Sequence, residues 1–122
     1  MILEKIKEQF LDDVYETFEF RGDLVAVVNK EIVRDLMKFL KTDPALDFNL
    51  LIDLTAVDYL GQERIPRFDV VYHLYSLAKG HRLRVKAGVD AKEPVIDSLT
   101  SLWPIADWFE REVWDMFGIK FK

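Results

Sequence analysis

Between Arg82 and Val89 the sequence alternates without a slip. Leu83, Val85, Ala87 and Val89 are apolar, while Arg82, Arg84, Lys86 and Gly88 between them are basic or small. Successive side chains of a strand point to opposite faces, so this segment reads as a strand with one face on a core and the other toward solvent or a partner. A strand of this kind needs neighbours to pair with and a second layer over its apolar side. That requirement governs how the rest of the chain is read.

Two more strands precede it, over 50–60 and 68–77, and Lys79-Gly80-His81 reads as a hairpin connection into the alternating strand. The segments 61–67 and 90–94 read as loops. Further upstream, Leu24-Val25-Ala26-Val27-Val28 is a short apolar run whose valines favour a strand buried on both faces. Arg21-Gly22-Asp23 before it spells an integrin-binding tripeptide, but a polar turn accounts for it fully. Helical spacing marks three segments. Leu3, Ile6, Phe10, Val14 and Phe18 recur every three or four residues. Ile32, Val33, Leu36, Phe39 and Leu40 trace a second helix with Asn29 as N-cap and Thr42-Asp43-Pro44 as its stop. A third runs from about Pro104 to Phe117 and ends at Gly118. The expected fold is an α+β two-layer sandwich with a largely antiparallel or mixed sheet of about four strands, in the order α-β-α-β-β-β-α. With 122 residues and no linker or repeat, a single domain over 1–122 is expected.

Catalytic and metal templates find no match. The chain has no cysteine, which excludes disulfides, thiolate zinc sites, cysteine-ligated clusters and a cysteine nucleophile. Only His73 and His81 are available as imidazole ligands. No phosphate loop, metalloprotease helix, hydrolase elbow or calcium loop is present. Asp53 and Asp58, five residues apart on one strand, would face opposite ways about 16 Å apart, too far for paired-carboxylate chemistry. They read as structural or capping groups. His73 reads as a hydrogen-bonded strand histidine and His81 as a solvated turn residue; an enzyme built on Asp58 and His73 has no nucleophile to activate. No catalytic, cofactor-binding or metal-ligating residue is therefore expected.

Charge and the last helix point instead to interaction. The net charge is −5, but residues 61–90 hold six basic against three acidic residues. The net acidity disfavours nucleic acid, and the row Arg82, Arg84 and Lys86 suits either solvent or an acidic protein partner. No apolar stretch reaches the ~20 residues of a membrane span. On the last helix, Ile105, Trp108, Phe109, Val113 and Met116 share an arc expected to face the sheet. Glu112 falls inside that arc, where it needs a buried cation, backbone donors or a partner's charge. Trp114 falls on the polar side with Asp107 and Glu110, as an exposed interface anchor or a ring covered by the chain's own tail. Arg111 can pair with Asp107 and Asp115 at i,i+4 spacing. The candidate partner interface is Arg82, Arg84, Lys86, Glu110, Arg111, Glu112, Trp114 and Asp115.

The run from Ala106 to Ile119, Ala-Asp-Trp-Phe-Glu-Arg-Glu-Val-Trp-Asp-Met-Phe-Gly-Ile, closely resembles the signature helix of the 30 kDa (C) subunit of NADH-quinone oxidoreductase, respiratory complex I. Leu54 to Gly61, Phe68 to Leu77 and His81 to Lys86 resemble the same family in the same order. The family's signature continues into an arginine-rich Gly-His-Pro-Asp-Leu-type segment and a tail. This chain ends at Lys122, so a domain without that tail is expected. The resemblance implies a non-catalytic, cofactor-free subunit of the peripheral arm, on the cytoplasmic face of the cell membrane. It would dock on the D (49 kDa) subunit and neighbouring peripheral-arm subunits, supporting electron transfer from NADH to quinone coupled to proton translocation. The alternative it leaves open is the homologous subunit of an energy-converting membrane-bound hydrogenase or formate-oxidising complex.

Overall fold

In the computed structural model, which describes residues 1–62 and 64–122, three helices lie against one face of a five-stranded sheet. The elements run α1 (Ile2–Phe10), β1 (Val14–Phe20), β2 (Asp23–Val28), α2 (Val33–Thr42), β3 (Leu50–Asp58), β4 (Phe68–Ser76), β5 (His81–Val89), β6 (Val95–Ile96), α3 (Ala106–Phe117) and β7 (Lys120–Phe121). Sheet order is β1-β2-β5-β4-β3, with β2 and β5 parallel and the other pairs antiparallel. The α+β two-layer class and the mixed sheet agree with the sequence reading.

The N-terminus departs from it. The helical spacing from Leu3 to Phe18 continues past Phe10, yet the helix stops there and Val14–Phe20 is a strand. The element order therefore gains β1 here, and the short pair β6 and β7 later in the chain, and the main sheet has five strands rather than about four. The cause is the turn that follows: Arg21 (φ 52°) and Gly22 (φ 85°) both adopt left-handed backbone and fold β1 onto β2, pairing Phe20 with Asp23. That two-residue geometry matches the twist of adjoining strands, and the aromatic and β-branched residues of β1 suit a pleated ladder better than a second helical turn. The Arg-Gly-Asp tripeptide is this turn.

The alternating strand, β5, sits at the centre of the sheet and behaves as its pattern requires. Leu83, Val85, Ala87 and Val89 are buried beside Leu74, Tyr72, Val70 and Phe68 of β4 and Ala26 and Val28 of β2. Ile6 from α1, Val33, Leu36, Met37 and Leu40 from α2, and Ala106 and Val113 from α3 close this core. Asn29 Oδ1 accepts from the Glu31 amide at 3.0 Å and caps the short 3-10 turn that leads into α2. Asp43 ends α2 by accepting from the Ala45 amide at 2.8 Å. Trp103 Nε1 donates to the Asn49 carbonyl at 3.0 Å, tying the approach to α3 to the start of β3. From there α3 runs along β3, and Phe117 near its end meets Phe68 edge-on at 6.3 Å.

Candidate functional site

Because all three helices pack on one side, the other face of the sheet carries no helix among the described residues, and only its Asp69–Gly88 end is covered, by the connection from β3 to β4. Register places Val25, Arg84, His73 and Asp53 side by side across β2, β5, β4 and β3 on that open face. Arg82 and Lys86 flank Arg84 along β5, and Val25 and Val71 are buried among these longer side chains. A groove of about 510 Å³ runs over this region, lined among others by Asp23, Ile52, Asp53, His73, Tyr75, Arg82 and Arg84. Arg82 stacks over Tyr75 at 5.8 Å. Arg84 Nη2 reaches Asp23 Oδ2 at 3.5 Å, while its Nε is buried with no hydrogen-bond partner among the described residues. Burial, and then the Arg84 charge, lower the pKa of His73 below its ordinary 6.5.

Beside this face the connection from β3 to β4 is tied down at several points. Its expected span, 61–67, includes Glu63, which lies outside the described residues. Arg64 Nη2 donates to both oxygens of buried Asp69, at 3.2 and 3.0 Å, and its guanidinium stacks on Tyr59 at 3.7 Å. Tyr59 Oη donates to Asp69 Oδ2 at 3.2 Å. Arg67 grips Asp58 with two bonds of 2.9 Å, and these hold the Asp58 carboxyl below its ordinary 3.8. Pro66 sits directly on Gly88, where a Cβ would stand 2.3 Å from its Cγ. Asp58 also accepts from the Leu60 amide, and Asp53 from the Leu54 amide. Both carboxylates thus serve local structure.

On α3 the structure corrects the sequence reading. The buried row is Ala106, Glu110, Val113 and half-buried Phe117, with Phe109 beside it. Ile105, Trp108 and Met116, expected to face the sheet, are 52%, 64% and 75% exposed, and Glu112 lies exposed among them. The buried carboxylate is Glu110, which helical spacing alone assigns to the polar side. It accepts from Ser98 Oγ at 2.7 Å and the Leu99 amide at 2.8 Å, with Thr100 Oγ1 at 3.4 Å. Both rows have helical spacing, so periodicity does not choose between them; donors ten to twelve residues upstream do. Trp114 is 53% exposed on a second flank with Asp107 and Arg111, whose side chains pair at 3.3 Å. Asp115 is exposed as well. The candidate residues therefore separate into the open sheet face (Arg82, Arg84, Lys86) and the outward flanks of α3 (Arg111, Glu112, Trp114, Asp115), with Glu110 inside.

His81 also differs from expectation. Its Nε2 lies 2.6 Å from the Leu46 carbonyl and its ring packs on Phe48 with centroids 4.6 Å apart, so it is a structural link rather than a solvated turn residue. The fixed hairpin brings it to the segment before β3, a long-range contact without a local signal. Among the described residues, no three His, Cys, Asp or Glu side chains gather as metal ligands, and no helix is long and apolar enough to cross a membrane.

Comparison with known proteins gives this inventory its context. The family described as respiratory-chain NADH dehydrogenase, 30 kDa subunit, matches residues 26–122. The C subunit of NADH-quinone oxidoreductase from Roseiflexus sp. (strain RS-1) is 48% identical over 120 residues, covering 98% of this chain and 68% of that protein. The C subunit from Citrifermentans bemidjiense is 49% identical over 118 residues, covering 97% and 71%. The solved structure of a trypsin-resistant fragment of Nqo5 superposes with a TM-score of 0.86 at 34% identity, covering 99% of this chain and 92% of the fragment. A chain of the membrane-bound sulfane sulfur reductase, an archaeal respiratory membrane complex, has a TM-score of 0.78 at 26% identity over 99% of this chain and 68% of its own. The chain belongs to the respiratory-chain NADH dehydrogenase 30 kDa subunit family.

Proposed function

We propose that this chain is a non-catalytic docking subunit of NADH-quinone oxidoreductase, held in the peripheral arm on the cytoplasmic face of the membrane. It packs there against the D (49 kDa) subunit and its neighbours, which carry the redox chemistry from NADH to quinone. Family membership favours this reading over a hydrogenase or formate-oxidising complex, because relatives 48% and 49% identical to it are C subunits of NADH-quinone oxidoreductase.

The observation that carries the docking role is the outward surface of α3. Ile105, Trp108 and Met116 follow helical spacing around Glu112, and Trp114 stands on the next flank. Large, rigid aromatic side chains held out on a packed helix are the usual anchors of protein interfaces. Arg111, Glu112 and Asp115 supply a charged rim, which fixes register more than affinity. The other candidate residues, Arg82, Arg84 and Lys86, give a cationic face for an acidic region of a neighbouring subunit. The remaining inventory fits the same role: Asp53 accepts from the adjacent Leu54 amide, Asp58 is held in an ion pair with Arg67, and His73 has no hydroxyl or thiol nucleophile beside it other than the Tyr75 phenol among the groove-lining residues.

The test is co-purification. A tagged copy of this chain expressed with its neighbouring subunits is expected to bring down the D subunit, and its deletion to prevent assembly of the peripheral arm. Intact assembly without it, together with no binding to the D subunit, would refute the proposal.

A further inference from the structure

On the outward face of α3, Trp108 stands one helical turn before Glu112 and Met116 one turn after it, each about 6 Å away along the axis. Ile105 extends the same row at the N-cap. Arg111 and Asp115 border this face, but Glu112 lies inside it. A surface that covers both Trp108 and Met116 therefore also covers the carboxylate between them. Taking a carboxylate out of water without a counter-charge or donors is costly, so the occupant of this face has to bring one. The chain itself does not supply it. Arg111, the single basic residue of α3, is turned to Asp107 at 3.3 Å, and neither Glu112 nor Lys120 beyond the helix makes an ion pair among the described residues.

We propose that this face receives an arginine of the neighbouring subunit, its guanidinium paired with Glu112 and stacked on Trp108, with apolar groups of the same partner over Ile105 and Met116. This rests on the docking role and names the residue that the partner supplies to it. The local field selects a cation over a neutral donor. The last turn of α3 holds no basic residue, Asp115 lies three residues from Glu112, and the free carbonyls at the helix C-terminus add partial negative charge. These like charges oppose one another in the free chain, and a cation seated beside Glu112 relieves them. The indole one turn away selects arginine over lysine. A planar guanidinium can lie on the Trp108 ring while its fork meets both carboxylate oxygens, whereas an ammonium is a compact, strongly hydrated point charge.

Measurements on the free chain and on the assembled complex test this. Glu112→Gln keeps the shape of the side chain and removes its charge. It is expected to weaken association by about 10- to 100-fold, the range for losing a charge-assisted hydrogen bond, and to leave the urea midpoint of the free chain unchanged. Glu8→Gln, the same chemical change on exposed α1, is expected to alter association by less than about threefold. In the unaltered complex, one arginine of a neighbouring subunit is expected to resist phenylglyoxal, read by peptide mass spectrometry. That arginine should regain its reaction when the chain carries Glu112→Gln, at concentrations that keep the complex assembled. Unchanged association of Glu112→Gln, while Trp108→Ala still weakens it, overturns the arginine seat and leaves the docking role standing. An equal loss with Glu8→Gln does likewise, as does a carbodiimide cross-link from Glu112 to a partner lysine. If the unaltered chain does not co-purify with its neighbours, both readings fall.

Discussion

Glu110 draws Ser98 Oγ, the Leu99 amide and Thr100 Oγ1 around one carboxylate and so fixes the segment before α3 to the helix itself. Glu110→Ala would strand the Leu99 amide at a fully buried residue, and a loss of about 1–3 kcal/mol of stability is expected by urea titration. Glu110→Gln keeps an acceptor and should cost less. The fully buried Tyr72 belongs to the same neighbourhood: burial, and then the negative charges of Glu110 and Asp97, push its hydroxyl pKa up. His73 behaves in the opposite sense, because its folded pKa lies below 6.5. The unfolded chain therefore takes up this proton first as pH falls. The contribution of neutral His73 is complete above 6.5 and is lost as pH falls through the folded value. Urea midpoints should decline below pH 6.5, and His73→Gln should flatten that decline. Asp58, held below 3.8 by Arg67, gives a contribution that is present above 3.8 and lost as pH falls further.

Among the elements, the connection between β3 and β4 has the most specific construction. Arg64, Tyr59 and Asp69 hold one arm, Arg67 and Asp58 the other, and Pro66 lies on Gly88 of β5. Gly88 occupies the small position in the alternating strand, and the structure shows why: a methyl group there would strike the proline ring at 2.3 Å. Gly88→Ala is expected to destabilise the chain by about 1–3 kcal/mol, the range for overpacking. Pro66→Ala in the same chain should recover part of that loss, and the non-additivity of the double variant measures the contact. Helix α3 poses a different question, since it shows two well-spaced rows and buries only one. Burying Ala106, Glu110 and Val113 brings the helix close to β3 and leaves the larger Ile105, Trp108 and Met116 outside. Trp108→Ala and Trp114→Ala should each change the stability of the free chain by no more than about 0.5 kcal/mol. In the assembly each is expected to weaken association by about 2 kcal/mol, read as a change in affinity for the proposed partner, the D subunit. A melting temperature that falls sharply in either variant would place that tryptophan in the core instead.

At the scale of the whole molecule, a sheet with helices on one side necessarily presents its other side to whatever surrounds it. The strand pattern at 82–89 is enough to establish this: period-two alternation leaves one face apolar, and only a covering layer can bury it. The α+β class, the second helix and the three consecutive strands are legible for the same reason, because local hydrophobic period reports which side of an element is buried. The absence of cysteine is legible from composition alone, and the family from four ordered motifs. Three things are not. The end of α1 is hidden because residues 14–18 satisfy helical spacing as well as strand propensity, and the turn at Arg21-Gly22 decides between them. The buried face of α3 is hidden because the donors that stabilise Glu110 reach it only after the chain has folded back. The groove and the unmatched Nε of Arg84 are hidden because they arise from register across four strands. The sequence by itself determined which side chains alternate and therefore that a core and an open face exist. Tertiary structure alone decided which helix face enters that core and which buried polar atoms are left unmatched, because both depend on contacts between segments far apart in the chain.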